Sequence, residues 1–311
     1  MGTPVFAVPA LREVSRQCEV AAVVTQPDRP RGRGQHVSPS AVASAAEELN
    51  LEVIKMDRVN TTEARERLSA LAPDLFAVVA FGAILKPEAL KIPRRGCINL
   101  HGSLLPAYRG ASPVQRALWD GCEGTGVTTM WMDEGVDTGD MILQRWEAIA
   151  PDDDAATLAA RLAEIGAPLL AESLTLAHEG RASRRPQPKT GASYAPKLTK
   201  RDGIVEWALD SVAVWNRQRA VTPWPGAATM FRGRRLILLE TKPHHQLDAD
   251  AVPGTVLEVN DSGVVVACKP GAIRIIRVKP EGKTEMHAGE WARGAHIGAG
   301  DLLETEKEAH A

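Results

Sequence analysis

The sequence predicts an α/β protein: a doubly wound, Rossmann-like domain followed by a small β-barrel. Three observations carry that expectation. In the first 180 residues, short runs rich in Val, Ile and Phe alternate with Ala- and Leu-rich helical stretches, the pattern of strands buried between helices on both faces of a parallel sheet. After Gly180 the composition turns polar, basic and rich in Pro and Gly. Beyond that, strand-like pieces recur at close spacing between turn signals, as in small barrels. A length of 311 residues suits two domains.

The chain opens on a turn, Met1-Gly2-Thr3-Pro4, and Phe6, Ala7 and Val8 then lead into Leu11 and Val14 at helical spacing. Glu19–Thr25, Asp74–Phe81, Cys97–His101 and Gly126–Asp133 read as strands, and Ser40–Glu48, Thr61–Leu71, Pro113–Trp119 and Ala155–His178 as helices. Such a sheet places its site at the carboxyl ends of its strands. The expected division is a first domain over 1–180, a basic linker over 181–200 and a barrel over 201–311. The barrel strands are Arg235–Glu240, Gly254–Val259, Gly263–Cys268 and Ala272–Val278.

Charge and cysteine usage bound the function. The net charge is −2, yet residues 181–240 carry twelve Lys and Arg against four acidic residues, which leaves the rest of the chain at −10. A basic block in an acidic protein suits a polyanion such as nucleic acid, although a solvated linker has the same composition. No segment reads as a membrane span or a signal peptide. The four cysteines lie far apart without a Cys-x-x-Cys pair, which suits reduced thiols in the cytoplasm rather than disulfides or a zinc site. No Gly-x-Gly-x-x-Gly follows a strand and no phosphate-loop lysine occurs, so a nicotinamide cofactor is unsupported.

The most informative segment is 97–144. Asn99 and His101 alternate along a short strand and so share a face. Asp137 follows the next strand in a Gly-rich loop, Gly135–Asp140, and two strand ends can bring the three together. That trio suits attack of an amine on a carbonyl carbon. Asn99 can donate to the developing oxyanion. His101 can donate to it or move a proton. Asp137 can take a proton from the amine and hold His101. A satisfied strand-end histidine and a turn-forming aspartate are the plainer explanation of each residue alone.

Asn99-Leu100-His101, Ser103-Leu104-Leu105-Pro106 and Asp137-Thr138-Gly139-Asp140 together resemble the signature of the folate-dependent formyltransferases. Gly2–Ala7, Thr25–Gly34 and Thr222–Ala227 narrow the resemblance to those members that act on methionyl-tRNA. The resemblance runs almost end to end, with Val5 standing where relatives often carry Asp. It implies formyl transfer from 10-formyltetrahydrofolate to initiator methionyl-tRNA for translation initiation, by a cytoplasmic monomer with no metal, no DNA and no membrane partner. It implies catalysis by Asn99, His101 and Asp137, folate binding by Ser103, Leu104, Leu105 and Pro106, and a pterin pocket along Phe81, Gly82, Ile84 and Leu85. It also implies an OB-like barrel, and tRNA contacts from Arg29, Arg31 and Arg33 in the Thr25–Gly34 loop and from Lys197 and Lys200 in the basic stretch. Arg181, Arg184, Arg185, Lys189 and Arg201 are further candidates. Trp224, between two prolines, reads as a structural anchor rather than a base-stacking platform.

Two other functions fit parts of the sequence. Formyl transfer to a small amine, such as a nucleotide or an amino sugar, would use the same core motif; the arginine loop and the basic stretch favour tRNA. A non-catalytic RNA binder would need neither folate nor the trio. In the relatives an apolar strand precedes Gly-Thr-Pro-x-Phe-Ala. The sequence therefore leads one to expect a start a few residues before Met1, which would end that strand, or else a damaged sheet with unpaired inner strands.

Overall fold

The computed structural model describes residues 1–31, 36–244 and 251–306. In chain order the helices are α1 (Val8–Gln17), α2 (Ala41–Glu48), α3 (Thr62–Ala70), α4 (Pro87–Leu90), α5 (Pro113–Trp119), α6 (Ala155–His178), α7 (Ser211–Ala220) and α8 (Ala288–Ala295). The strands of the first half are β1 (Val23–Thr25), β2 (Arg29–Arg31), β3 (His36–Ser38), β4 (Val53–Lys55), β5 (Phe76–Val78), β6 (Cys97–His101), β7 (Arg109–Gly110), β8 (Gly124–Trp131), β9 (Met141–Ala148) and β10 (Tyr194–Ala195). Those of the second half are β11 (Ala227–Phe231), β12 (Arg234–His244), β13 (Val256–Asn260), β14 (Gly263–Ala267), β15 (Ala272–Pro280) and β16 (Met286–His287).

The chain forms two compact units. One comprises Met1–Pro113, Gly124–Ala148 and Ala159–Ala195; the other comprises Val114–Glu123, Ile149–Leu158 and Pro196–Ala311. Residues 181–195 of the expected linker thus belong to the first unit. Among the described residues no helix is long and apolar enough to cross a membrane.

In the first unit β1 and β4 pair in parallel, as do β5 and β6. Met1 and Gly2 join the two pairs: Gly2 N donates to Val24 O at 3.0 Å, and Val79 N donates to Met1 O at 2.9 Å. Beyond β6 the sheet departs from the expected parallel order, because β8 runs antiparallel to β6 and β9 antiparallel to β8. Helix starts follow local chemistry. The hydroxyls of Ser40 and Thr61 accept from Ala43 N and Ala64 N, capping the otherwise unpaired donors of α2 and α3. A core of Val24, Ile54, Leu68, Phe76, Val78, Phe81 and Leu85 lies under these elements, and each large side chain there contributes about 1.5–3 kcal/mol by burial.

The ammonium of Met1 is part of this interior. It donates to Ala77 O at 2.6 Å, and burial pushes its pKa down from 8.0 to about 6. The lowered value means that the folded state disfavours the charged amine. The penalty is absent above pH 8, grows as the pH falls and is complete below pH 6, about 2–3 kcal/mol for two pKa units. The 311-residue chain with a free amine at Met1 is therefore expected to show a lower urea midpoint at pH 6 than at pH 8. Residues appended before Met1 convert the amine to an amide and should flatten that dependence.

The second unit is built on a six-stranded antiparallel sheet in the order β11-β12-β15-β14-β13, with β16 on β15. Residues 301–304 close it into a barrel. Met230 of β11 and Glu304 exchange backbone hydrogen bonds of 2.8 Å, while Val256 N donates to Asp301 O and Leu303 N to Gly254 O, both at 2.8 Å. Leu236, Leu238, Val264, Val266, Ile273, Ile275 and Trp291 fill the interior. Trp224, expected as an anchor, is 53% exposed. The backbone anchors that loop: Gly226 N donates to Val221 O at 2.9 Å, and Gly203 packs so closely that a Cβ there would meet Gly226 O at 2.4 Å.

Candidate active site

Alternation along β6 places Asn99 and His101 on one face, as expected, with Asn99 half-buried and His101 5% exposed. Nε2 of His101 lies 2.8 Å from Tyr108 O. A carbonyl only accepts, so this contact assigns the proton to Nε2 and turns Nδ1 toward Asp137, whose Oδ2 is 3.6 Å away. Among the described residues the side-chain amide of Asn99 has no hydrogen-bond partner, so its donors remain available to an incoming oxygen.

Asp137 reaches His101 by a different route from the one expected. β8 is antiparallel to β6, with Trp131 opposite Ile98 and Thr128 opposite His101. The carboxyl end of β8 therefore sits beside the start of β6, and the loop from 132 to 140 must fold back to bring Asp137 to the histidine. Asp133 Oδ1 accepts from Gly135 N at 3.0 Å and from Thr138 Oγ1 at 2.7 Å, and Trp131 N donates to Asp140 O at 2.8 Å. Asp137 itself sits at φ +53°, a left-handed conformation that Asp tolerates better than most residues. Its Oδ2 accepts from Gly110 N at 2.8 Å.

Sequence reasoning missed Arg109, Gly110, Thr128 and Gln187, which support the trio. Gln187 donates from Nε2 to Asp137 O at 2.8 Å and to Gly139 O at 2.9 Å. Its setting, Pro186-Gln187-Pro188 inside a basic run, reads as linker, and an uncharged amide between prolines is the sole local hint.

The eight residues expected at the folate divide into two groups. Ser103 Oγ donates to Ala107 O, Thr128 Oγ1 donates to Ser103 O, Leu105 N donates to Thr128 Oγ1 and Gln144 Nε2 donates to Leu105 O, at 2.6 to 3.1 Å. Those polar groups brace the loop after β6. Phe81 and Leu85 are core residues, 2% and 3% exposed. Leu104 and Pro106 are half-buried, Gly82 is exposed with open space at its Cα, and Ile84 is 71% exposed. These four keep surface open to solvent.

Cys97 begins β6, but it is no nucleophile: burial pushes its thiol up to about 12. Of the expected tRNA contacts, Arg29 is exposed on the β2–β3 ribbon and reaches Gln26 Oε1 at 3.3 Å and Asp57 Oδ1 at 3.5 Å. Arg31 ends β2, and Arg33 lies outside the described residues. In the second unit Lys197 and Lys200 are exposed, and among the described residues neither ammonium has an acidic partner. Arg184 stacks on Trp131 at 4.3 Å, and Arg181 pairs with Glu179 at 2.7 Å.

Comparison with known proteins bears on this arrangement. Residues 6–174 match the formyl transferase family, and residues 197–296 match the formyl transferase C-terminal domain. This chain belongs to the formyl transferase family. Methionyl-tRNA formyltransferase of Geobacter sulfurreducens is 44% identical over 304 residues, 97% of this chain and 95% of the relative. That of Pelotomaculum thermopropionicum is 42% identical, with 97% of each chain covered. Among solved structures, a Helicobacter canadensis N-formyltransferase in complex with folinic acid and dTDP-3-aminofucose superposes with a TM-score of 0.66 at 18% identity, covering 88% of this chain and 96% of that one. HypX of Aquifex aeolicus in complex with tetrahydrofolic acid gives 0.60 at 20%, covering 87% and 46%. At such identities these structures show the formyl transferase fold, and the wider family relation comes from the sequence matches.

Proposed function

We propose that this formyl transferase family member transfers the formyl group of 10-formyltetrahydrofolate to the amino group of initiator methionyl-tRNA, giving N-formylmethionyl-tRNA and tetrahydrofolate. The observation that carries this reading is the 3.6 Å approach of His101 Nδ1 to Asp137 Oδ2 beside the unpartnered amide of Asn99. The formyl carbon would sit over the Asn99 and His101 face. As the amine attacks, the formyl oxygen gains negative charge, and the Asn99 amide donates to it. Asp137 draws the proton from the amine, directly or through water. As the tetrahedral intermediate collapses, the bond from the formyl carbon to N10 breaks, and tetrahydrofolate leaves with that proton on N10, His101 lying within reach of it. Gly82, Ile84, Leu104 and Pro106 offer the apolar walls that a flat pterin requires. The reaction belongs to the cytoplasm, with the chain acting as a monomer and tRNA as its nucleic-acid partner.

The tRNA reading is supported by the exposed Arg29 ribbon, by Lys197 and Lys200, and by relatives named for methionyl-tRNA. Radiolabelled formyl transfer is expected to label methionyl-tRNA; label on a small amine sugar or nucleotide alone would reverse the choice of acceptor. Lys197→Ala and Lys200→Ala are each expected to weaken tRNA binding with little regard to sequence. Each should lower the slope of log K against log salt by about 1, one phosphate contact apiece. An unchanged slope in both variants would remove them from the tRNA surface.

A further inference from the structure

We infer that Gln187 is the positioning residue that holds Asp137 against His101. The inference rests on the proposed role of Asp137. Gln187 Nε2 donates to Asp137 O at 2.8 Å and to Gly139 O at 2.9 Å, one bond on either side of Thr138. Its Oε1 accepts from Arg109 Nε at 3.0 Å and Nη2 at 2.7 Å. Both amide hydrogens and both oxygen lone pairs are thus engaged, and the guanidinium fixes which end of the amide faces the loop. The residue gripped is the one at φ +53°, a conformation that persists in a non-glycine residue when its surroundings enforce it.

The grip is anchored at its own base. Arg185 and Met141 exchange backbone hydrogen bonds of 2.9 and 3.2 Å, and Trp131 Nε1 donates to Ser183 O at 3.1 Å. Arg109 N donates to Ser193 O at 2.9 Å, while the next residue, Gly110, donates to Asp137 Oδ2 at 2.8 Å. The main chain of Asp137 is therefore held by Gln187 and its carboxylate by Gly110, and Arg109 links the two. Among the described residues Gln187 makes no hydrogen bond to Asn99 or His101, and its bonds to the site run to Asp137 and Gly139.

The test uses the full chain with 10-formyltetrahydrofolate and methionyl-tRNA. Q187A is expected to lower kcat about 10- to 100-fold, as displacement of a reacting group does, with both KM values within about threefold of wild type. Q187E is isosteric and sets its charge against Arg109, so it should fold, with a melting temperature no lower than that of Q187A. It offers lone pairs where the loop needs donors, and it is expected to lose at least as much kcat as Q187A. It also remains informative if Q187A fails to fold. D137A and D137A/Q187A are expected to share one kcat, because the second substitution acts through a group already removed. Q187E at wild-type kcat, or a Q187A loss that multiplies that of D137A, would overturn the inference while leaving Asp137 in place. D137A at wild-type kcat would instead overturn the reading of Asp137, and the inference with it.

Discussion

Replacing Asp137 with asparagine is expected to lower kcat for formyl transfer by about 10²–10⁴-fold, the range associated with loss of a general base. The substitution isolates charge from shape. Asparagine tolerates the left-handed φ of +53° and still presents an oxygen to Gly110 N, so the loop should stand. What it removes is the carboxylate 3.6 Å from His101 Nδ1, and with it the group that can take the amine's proton. Asp137→Ala should lose as much activity and also some stability, since Gly110 N is left without its acceptor, at about 1 kcal/mol. Steady-state turnover with thermal melts on the same samples separates the two. A stable asparagine variant at wild-type turnover would show that Asp137 orders the loop and does no chemistry.

Gly110→Ala should be strongly destabilising in the first unit. Gly110 has φ +116°, a region open in practice to glycine, and a Cβ there would lie 2.7 Å from Ala195 O and 3.3 Å from Ala195 C. Both obstacles are backbone, so β7 and β10 must part for the methyl to fit. The expected loss is about 2–4 kcal/mol, strain and overpacking together, read as a fall in urea midpoint. Gly180→Ala supplies the control: φ is +72° with nothing within 4 Å of the added carbon, so it bears the conformational cost alone, about 1 kcal/mol. Equal losses in the two variants would mean that the contact with Ala195 yields easily. Gly110→Ala should also lower kcat, because moving Gly110 N releases Asp137 Oδ2.

The parts of the fold visible in the sequence are those with a strong local pattern. Cys97–His101, Pro113–Trp119 and Ala155–His178 were expected at the residues where the structure has them. The barrel strands lie within a few residues of their expected positions. Three-residue β4, Val53–Lys55, is too short to show a period. Helix α7 was invisible for another reason: it buries Asn216, Gln218 and Arg219, so it lacks an apolar stripe. Arg219 is placed by Asn216 Oδ1 at 2.7 Å and by the Trp215 ring at 3.8 Å, partners that no hydrophobic pattern announces. At the site, Asn99, His101 and Asp137 stood out because polar residues at a strand end and in a glycine-rich loop are poorly suited to a core. The antiparallel run of β8 was not legible, since a buried strand has the same composition in either direction. Nor was Gln187, whose role depends on contacts with residues 50 and 78 positions away.

Those separations also set the order of assembly. The bond from Tyr108 N to Ser193 Oγ spans 85 residues and the pair Arg109–Gln187 spans 78, so closing these loops is a late, entropically costly event in folding. A chain emerging from the ribosome carries Asn99, His101 and Asp137 well before Gln187 and Ser193 have left the exit tunnel. During that interval the loop around Asp137 lacks the hydrogen bonds from Gln187 that hold it. The geometry of the site thus waits on docking of the segment after α6.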